Sequence, residues 1–355
     1  MKSKVINLPH TRSIIARQNR TNRSLPKKVA ILYSEAKREY FPTEAQYFTE
    51  KDAARDAGTL IPYLNRLGVE ALLIPADDRI TNRLRRHRPD LVINLVDSVR
   101  GCEYLSSTVP ATLELLEIPY TGAGMLGYTL CMNKYVTKDL LLQHGIPVPK
   151  FQLFTSWRQP LDPSLHYPAI LKLNEVHGSL EMTRESIVEN DQDLRRRLHW
   201  LMKTYDQDIL AEEFIEGREF AAFVFQAYNR KVYAIERVFK AGGRKAKYNF
   251  LDFDLVWKVD EKTYFDRIGY QKYQDPLLSA LVKKAFEVVK MEDYGKFDIR
   301  MDRQGRYYFI DSNPNCYLAP PELFSDIAIT MKMHGVPFRE LLKKMLINTM
   351  REWGL

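Results

Sequence analysis

The chain has 355 residues, 45% hydrophobic and 28% charged, the make-up of an ordinary globular protein with room for two or three subdomains. No run of 18 apolar residues occurs, which excludes a helical membrane span. The formal net charge of +8 comes wholly from residues 1–28, which carry eight Lys and Arg and no acid, so the neutral remainder gives no ground for nucleic-acid binding. Segment 1–27 reads as a flexible basic arm. An organellar targeting extension or a polyanion contact stays open beside that, since the segment is rich in Arg and Ser but lacks a secretory apolar core. Cys102, Cys131 and Cys316 are widely spaced and odd in number, which fits neither a disulfide framework nor a zinc site and suits a reducing, cytoplasmic setting. Cys316 reads as a packed bystander thiol.

"KKVAILYS" opens the ordered part as a short buried strand. A helix through "TEKDAARDAGTLIPYLNRLG" ends at Gly68, "VEALLIPA" is a strand, and "ITNRLRRHRP" is a short helix stopped by Pro89. "DLVINLVD", the helix "VPATLELLEI" and the strand "PYTG" follow. Strands alternating with helices predict a parallel sheet covered on both faces. "GAGMLG" then matches G-x-G-x-x-G, but a dinucleotide site needs an acid about 20 residues on, and the chain there reads "LLLQHG".

"NKYVTKDLLLQHG" is a helix of about three turns with Lys134 and Lys138 on one face, Lys138 being read as solvated. "YPAILKLNEVHGSLEM" reads as strand, loop, strand. Lys172 lies inside its apolar strand, where a lysine requires an anionic partner, and Gly178 and Ser179 stand in a loop able to approach phosphates. A helix over "NDQDLRRRLHWLMKTY", two strands around Gly217 in "DILAEEFIEGREFAAFVFQ" and the strand "KVYAIERVFK" come next. "AGGRKAKYNFLDFD" reads as a mobile loop carrying Lys247, and the helix "PLLSALVKKAFEVVKM" leads into "FDIRMDRQGRYYFIDSNPN".

That last segment is two alternating strands joined at Gly305. Side chains alternate, so Asp298 shares a face with Arg300 and Asp302, and Phe309, Asp311 and Asn313 share one. If the two faces coincide, two carboxylates and an amide oxygen converge, the hard oxygen set that Mg²⁺ takes together with water and phosphates. Separated lysines, a Gly-Ser loop, an acidic strand end and this hairpin are parts suited to nucleotide phosphoryl transfer without a P-loop or kinase signature.

In this order the segments "NKYVTKDLLLQHGIPVP", "PAILKL…GS", "ILAEEFIEGREF", "AKY" and "FDIRMDRQGRYYFIDSNPN" resemble the ATP-grasp superfamily, and within it the D-alanine–D-alanine ligase group, over residues 28 to 345. The resemblance implies an α/β chain with the ATP-grasp fold. An N-terminal doubly wound parallel-sheet domain would span 28–121, a small central α+β lid domain 122–208 and a C-terminal mixed-sheet domain 209–349. It makes "GAGMLG" a connection. It implies that Lys134 and Lys172, with the Ser179 loop, hold the α- and β-phosphates, and that Glu212, Glu213 and Ile215 meet adenine. Glu219 would take the ribose, Lys247 would reach the γ-phosphate, and Asp298, Asp311 and Asn313 would hold two Mg²⁺, with Mn²⁺ as a substitute. The activity implied is ATP-dependent joining of a small-molecule acid to an amine through an acyl phosphate. A homodimer follows from the resemblance alone.

The departures concern the acceptor side. Asp311 stands where Glu is usual, and Lys296 where the family carries an Arg, with Arg300 a candidate to replace it. Glu35, Glu39 and Glu44 compete to grip a substrate amino group, and "PNCYLAPPELFSD" replaces a Pro-Gly segment and a Ser. His177 reads as a structural loop residue. The alternatives are a D-alanine–D-alanine ligase proper and an ATP-binding protein without ligation.

Overall fold

The computed structural model describes residues 24–240 and 247–355, so most of the expected basic arm and residues 241–246 of the expected mobile loop lie outside it. The strands β1 (Lys28–Ser34), β2 (Glu70–Ala76) and β3 (Leu91–Leu95) form a parallel sheet in the order β2-β1-β3. "PYTG" contributes only a bridge from Tyr120 to Val92. The single helix expected before β2 is three short ones, Glu44–Glu50, Ala53–Gly58 and Ile61–Asn65. Gly58 ends the second, and Pro62, which lacks an N–H, sits in the first turn of the third.

Successive residues of β1 go to opposite faces. Ala30 and Leu32 join Leu84, Val92, Leu113 and Trp353, while Val29 and Ile31 join a second core. That second core continues into a five-stranded sheet, β10-β9-β8-β11-β12, made of β8 (Arg218–Phe225), β9 (Lys231–Phe239), β10 (Ile268–Tyr273), β11 (Tyr294–Met301) and β12 (Tyr307–Asn313). Ala221, Phe223 and Phe225 of β8 face it, with Leu341, Met345 and Leu346 of the helix Phe338–Glu352. The alternate residues Phe220, Ala222 and Val224 face a third core under the helix Pro276–Val288. Every described pairing in this sheet is antiparallel, where a mixed sheet was expected, because its neighbours are hairpin partners or strands running against β8.

The remaining strands, β4 (Phe151–Phe154), β5 (Ala169–Leu173), β6 (Ile187–Val188) and β7 (Ile209–Glu213), form an antiparallel sheet β4-β7-β5-β6. It has its own core with the helix Asp191–Tyr205, which Asn190 caps. β7 belongs here and β8 to the larger sheet, so the chain changes sheet at residues 214–217, later than the expected boundary at 208/209. The helices Met125–Met132 and Lys134–Gln143, expected within the central unit, contribute Cys131 and Leu141 to the core of the larger sheet. Within "GAGMLG", a Cβ on Gly127 would lie 2.1 Å from the Lys290 carbonyl oxygen, so this glycine allows close packing of a helix against the chain before β11.

Candidate active site

A cavity of about 490 Å³ lies where the two antiparallel sheets and the N-terminal unit meet. The β11–β12 register sets Asp298 opposite Asp311 and Lys296 opposite Asn313, with a bulge after Asp298 that brings Ile299 opposite Phe309. Directly opposed residues share a face, so the hairpin brings Asp298, Asp311 and Asn313 to one side. Asn313 Nδ2 donates to Asp298 Oδ2 at 3.1 Å. Lys296 Nζ lies 3.1 Å from the same oxygen and 3.9 Å from Asp326, and Arg237 Nη1 donates to Asp298 Oδ1 at 3.0 Å. His177 Nδ1 stands 3.8 Å from Asp311 Oδ2. Burial opposes the Asp311 charge, but the Lys134 ammonium, His177 and Lys172 outweigh it and hold the carboxyl well below its usual range. Burial likewise opposes the Lys296 charge, and Asp298 and Asp326 overcome it to raise its pKa.

The lysines come from two elements. Lys134 opens the helix capped by the Asn133 side chain, and its Nζ donates to the Val176 carbonyl, tying the 176–180 loop to that helix. Lys172, from the middle of β5, meets Glu212 at 3.3 Å and the Ile310 carbonyl at 3.1 Å. Lys138 is a correction: it is buried, not solvated, lying 3.2 Å from Glu212 and donating to the Phe309 and Ile310 carbonyls at 3.1 and 3.2 Å. The face it shares with Lys134 turns inward because Glu212, 1% exposed, needs counter-charge. Burial lowers Lys134, and lowers Lys138 to about 8. Ser179 lines the cavity in a left-handed backbone conformation, φ 58°.

Glu213 and Ile215 line the cavity beside the sheet change, Glu213 accepting from the His166 backbone N–H at 3.2 Å. Glu219 is buried between two guanidinium groups, Arg237 Nη1 at 3.1 Å and Arg300 Nη1 at 2.8 Å. Arg300 also donates to the carbonyls of Ile215, Gly217 and Asn249 and lies over the Phe214 ring. Its donors are engaged at the sheet change and with Glu219. Lys247 does not line the cavity: its ammonium meets both Glu189 carboxylate oxygens at 2.6 Å. Cys316 is buried, its thiol pushed up to about 12 by burial.

Glu35, Glu39 and Glu44 do not line this cavity. Glu44 pairs with Arg38, and Glu35 with Lys37 beside a separate surface hollow. Three other carboxyls do: Glu50 of the helix Glu44–Glu50, Asp97 just past β3, and Glu103. Glu50 accepts from Ser98 Oγ at 2.5 Å and Glu103 from the His177 backbone N–H at 2.6 Å. Among the described residues none of the three pairs with a lysine or arginine. Burial raises Glu50 and Glu103, while Asp97, solvent-exposed at the cavity mouth, is raised to about 7 by the protein crowded around it and then by Glu50. Asp97 had a sequence signal, since open parallel sheets place ligands at the carboxyl ends of their strands. Glu50 and Glu103 had none.

The family model described as "D-ala D-ala ligase C-terminus" matches residues 140–347, more than half of the chain. The D-alanine–D-alanine ligase of Halorhodospira halophila is 28% identical over 303 residues, covering 85% of this chain and 93% of that protein. Two solved structures share the fold at 18% identity. The D-alanine–D-alanine ligase of Bacillus anthracis complexed with ATP has a TM-score of 0.68 over 92% of this chain and 98% of its own. The VanG D-Ala:D-Ser ligase of Enterococcus faecalis has 0.63 over 90% and 98%. With the sheets, the hairpin and the lysines in this arrangement, the chain belongs to the D-alanine–D-alanine ligase family, the carboxylate–amine ligases of ATP-grasp fold.

Proposed function

We propose that the protein uses ATP to activate a small-molecule carboxylate as an acyl phosphate and joins it to an amine, releasing ADP and phosphate. The observation that carries this is the hairpin register, which sets Asp298 and Asp311 side by side within reach of a cluster of buried lysines. Asp298, Asp311 and Asn313 offer oxygen donors that fit Mg²⁺, which keeps water and phosphate oxygens in its shell, though among the described residues no three His, Cys, Asp or Glu, here or elsewhere, gather as a metal group. When bound, the metal neutralises phosphate charge. Lys134 and Lys172 would hold the α- and β-phosphates, with the Ser179 loop beside them. Glu213 and Ile215 lie where the base would enter, and Glu219 keeps lone pairs for ribose hydroxyls.

A substrate carboxylate oxygen bonds to the γ-phosphorus as the bond to ADP breaks. The amine nitrogen then bonds to the acyl carbon, phosphate leaves, and the nitrogen gives up a proton. Lys296, beside Asp298, would supply a point charge to the oxygens that gain charge. The side chain of Glu212 instead holds Lys138 and Lys172, and Lys247 would act at the γ-phosphate only after leaving Glu189.

The Glu50, Asp97 and Glu103 bay supports a substrate that carries an ammonium group, and the changed residues after Asn313 support a pair other than two D-alanines. ADP and phosphate release that requires both an acid and an amine, with the amide seen by mass spectrometry and lost in Asp298→Ala, would establish the reading. Turnover of ATP with no amide from a broad panel would overturn it. We place the reaction in the cytoplasm and keep a homodimer as an expectation that sedimentation can test.

A further inference from the structure

We infer that Arg237 is a positioning residue that holds the ribose carboxylate Glu219 and the metal carboxylate Asp298 in one frame, so that nucleotide sugar and metal are sensed together. This rests on the nucleotide reading above. Arg237 lies near the end of β9, opposite Glu219 on β8 and Tyr270 on β10, and Glu219 is in turn opposite Arg300 on β11. These residues therefore form one row on one face of the sheet. The Arg237 side chain is 1% exposed, and its Nη1 donates both to Glu219 at 3.1 Å and to Asp298 at 3.0 Å, while Nη2 bonds Asp326. Lys296 meets Asp298 and Asp326 but not Glu219, and of these carboxylates Arg300 meets only Glu219.

Arg237 is thus the cation shared by the two carboxylates. A guanidinium presents its N–H groups in a fixed plane, so moving one carboxylate disturbs the bond to the other, whereas a lysine ammonium rotates freely. Asp326 bonds the other terminal nitrogen and restrains the plane itself. A change at the ribose end is consequently felt at the metal end through a single Nη1.

Calorimetric titration of the full chain tests this with two ratios. One is the gain in ATP affinity on adding Mg²⁺, and the other is the preference for ATP over 2′,3′-dideoxy-ATP. In Arg237→Lys both ratios should fall by about tenfold, the usual scale for a partner that orients a metal ligand. Glu219→Gln, which leaves Arg237 and Asp298 in place, should lower the Mg²⁺ gain as well as the ribose preference. A purely structural role predicts a lower melting temperature for Arg237→Lys with both ratios kept, and that result would overturn the inference. So would a Glu219→Gln protein whose Mg²⁺ gain is unchanged, even if Arg237→Lys does not fold. Wild-type protein that binds no ATP would instead sink the nucleotide reading, and the role of Arg237 with it.

Discussion

Asp97 stands just past β3 at the solvent-exposed mouth of the cleft, where the surrounding protein and then the Glu50 charge raise its carboxyl to about 7. An ammonium-bearing substrate gains this counter-charge as pH rises through that value. Its KM should therefore fall from one pH unit below to one above, and Asp97→Asn should flatten the profile. The folded pKa lies above the unfolded 3.8, so the folded state loses stability as pH climbs from 3.8 toward about 7. Asp97→Asn removes that loss: its melting temperature should exceed the wild type's above neutrality by a margin that solvent screening keeps small, with the gap closing in acid. Glu212 presents the opposite case, a carboxylate held by Lys138 at 3.2 Å and Lys172 at 3.3 Å. Glu212→Ala strands two buried ammonium groups and should cost about 3–5 kcal/mol in urea titrations. Adding Lys138→Met should recover part of that loss. Lys172 was readable as a lysine requiring an anion, because its strand is apolar. Lys138 was not, since helical spacing shows which residues share a face but not what that face meets.

At the level of elements, the hairpin was the most legible feature. Alternation along "FDIRM" and "YYFIDSN" places Asp298, Asp311 and Asn313 correctly, because period-two side chains and a short turn settle the facing pairs. The bulge after Asp298 left no such trace: with Ile310 unpaired, Phe309, expected on the face of Asp311, lies opposite Ile299 in the core. The segment "EEFIEGREF" reads as two strands about Gly217, yet periodicity is silent on which sheet each strand joins. Gly217 has φ 145°, and a Cβ there would lie 2.0 Å from the Met301 carbonyl oxygen. Gly217→Ala should therefore destabilise the fold by roughly 1–3 kcal/mol. It should also weaken nucleotide binding, since Arg300 bonds the carbonyls on both sides of this turn.

Across the whole molecule, the cores are unequally shared. One runs from Val29 and Ile31 through Phe223 to Leu341 and Met345, so the parallel sheet and the five-stranded sheet are joined by common burial. The four-stranded sheet keeps its own core, with Leu171, Leu194 and Leu198. Calorimetry should accordingly show two transitions, one for the four-stranded unit and one for the rest. Leu341→Ala should lower only the second, by about 2–5 kcal/mol. Sequence alone determined the alternation of strands and helices through β3, the oxygen-rich hairpin and the lysine inside an apolar strand, because periodicity, turn residues and the cost of burying charge are local properties of the chain. The acidic bay, the inward turn of Lys138, the commitment of Arg300 to Glu219 and the Arg237 junction were decided only by tertiary structure. Each depends on which distant residues packing brings within hydrogen-bond reach, and no local pattern records that.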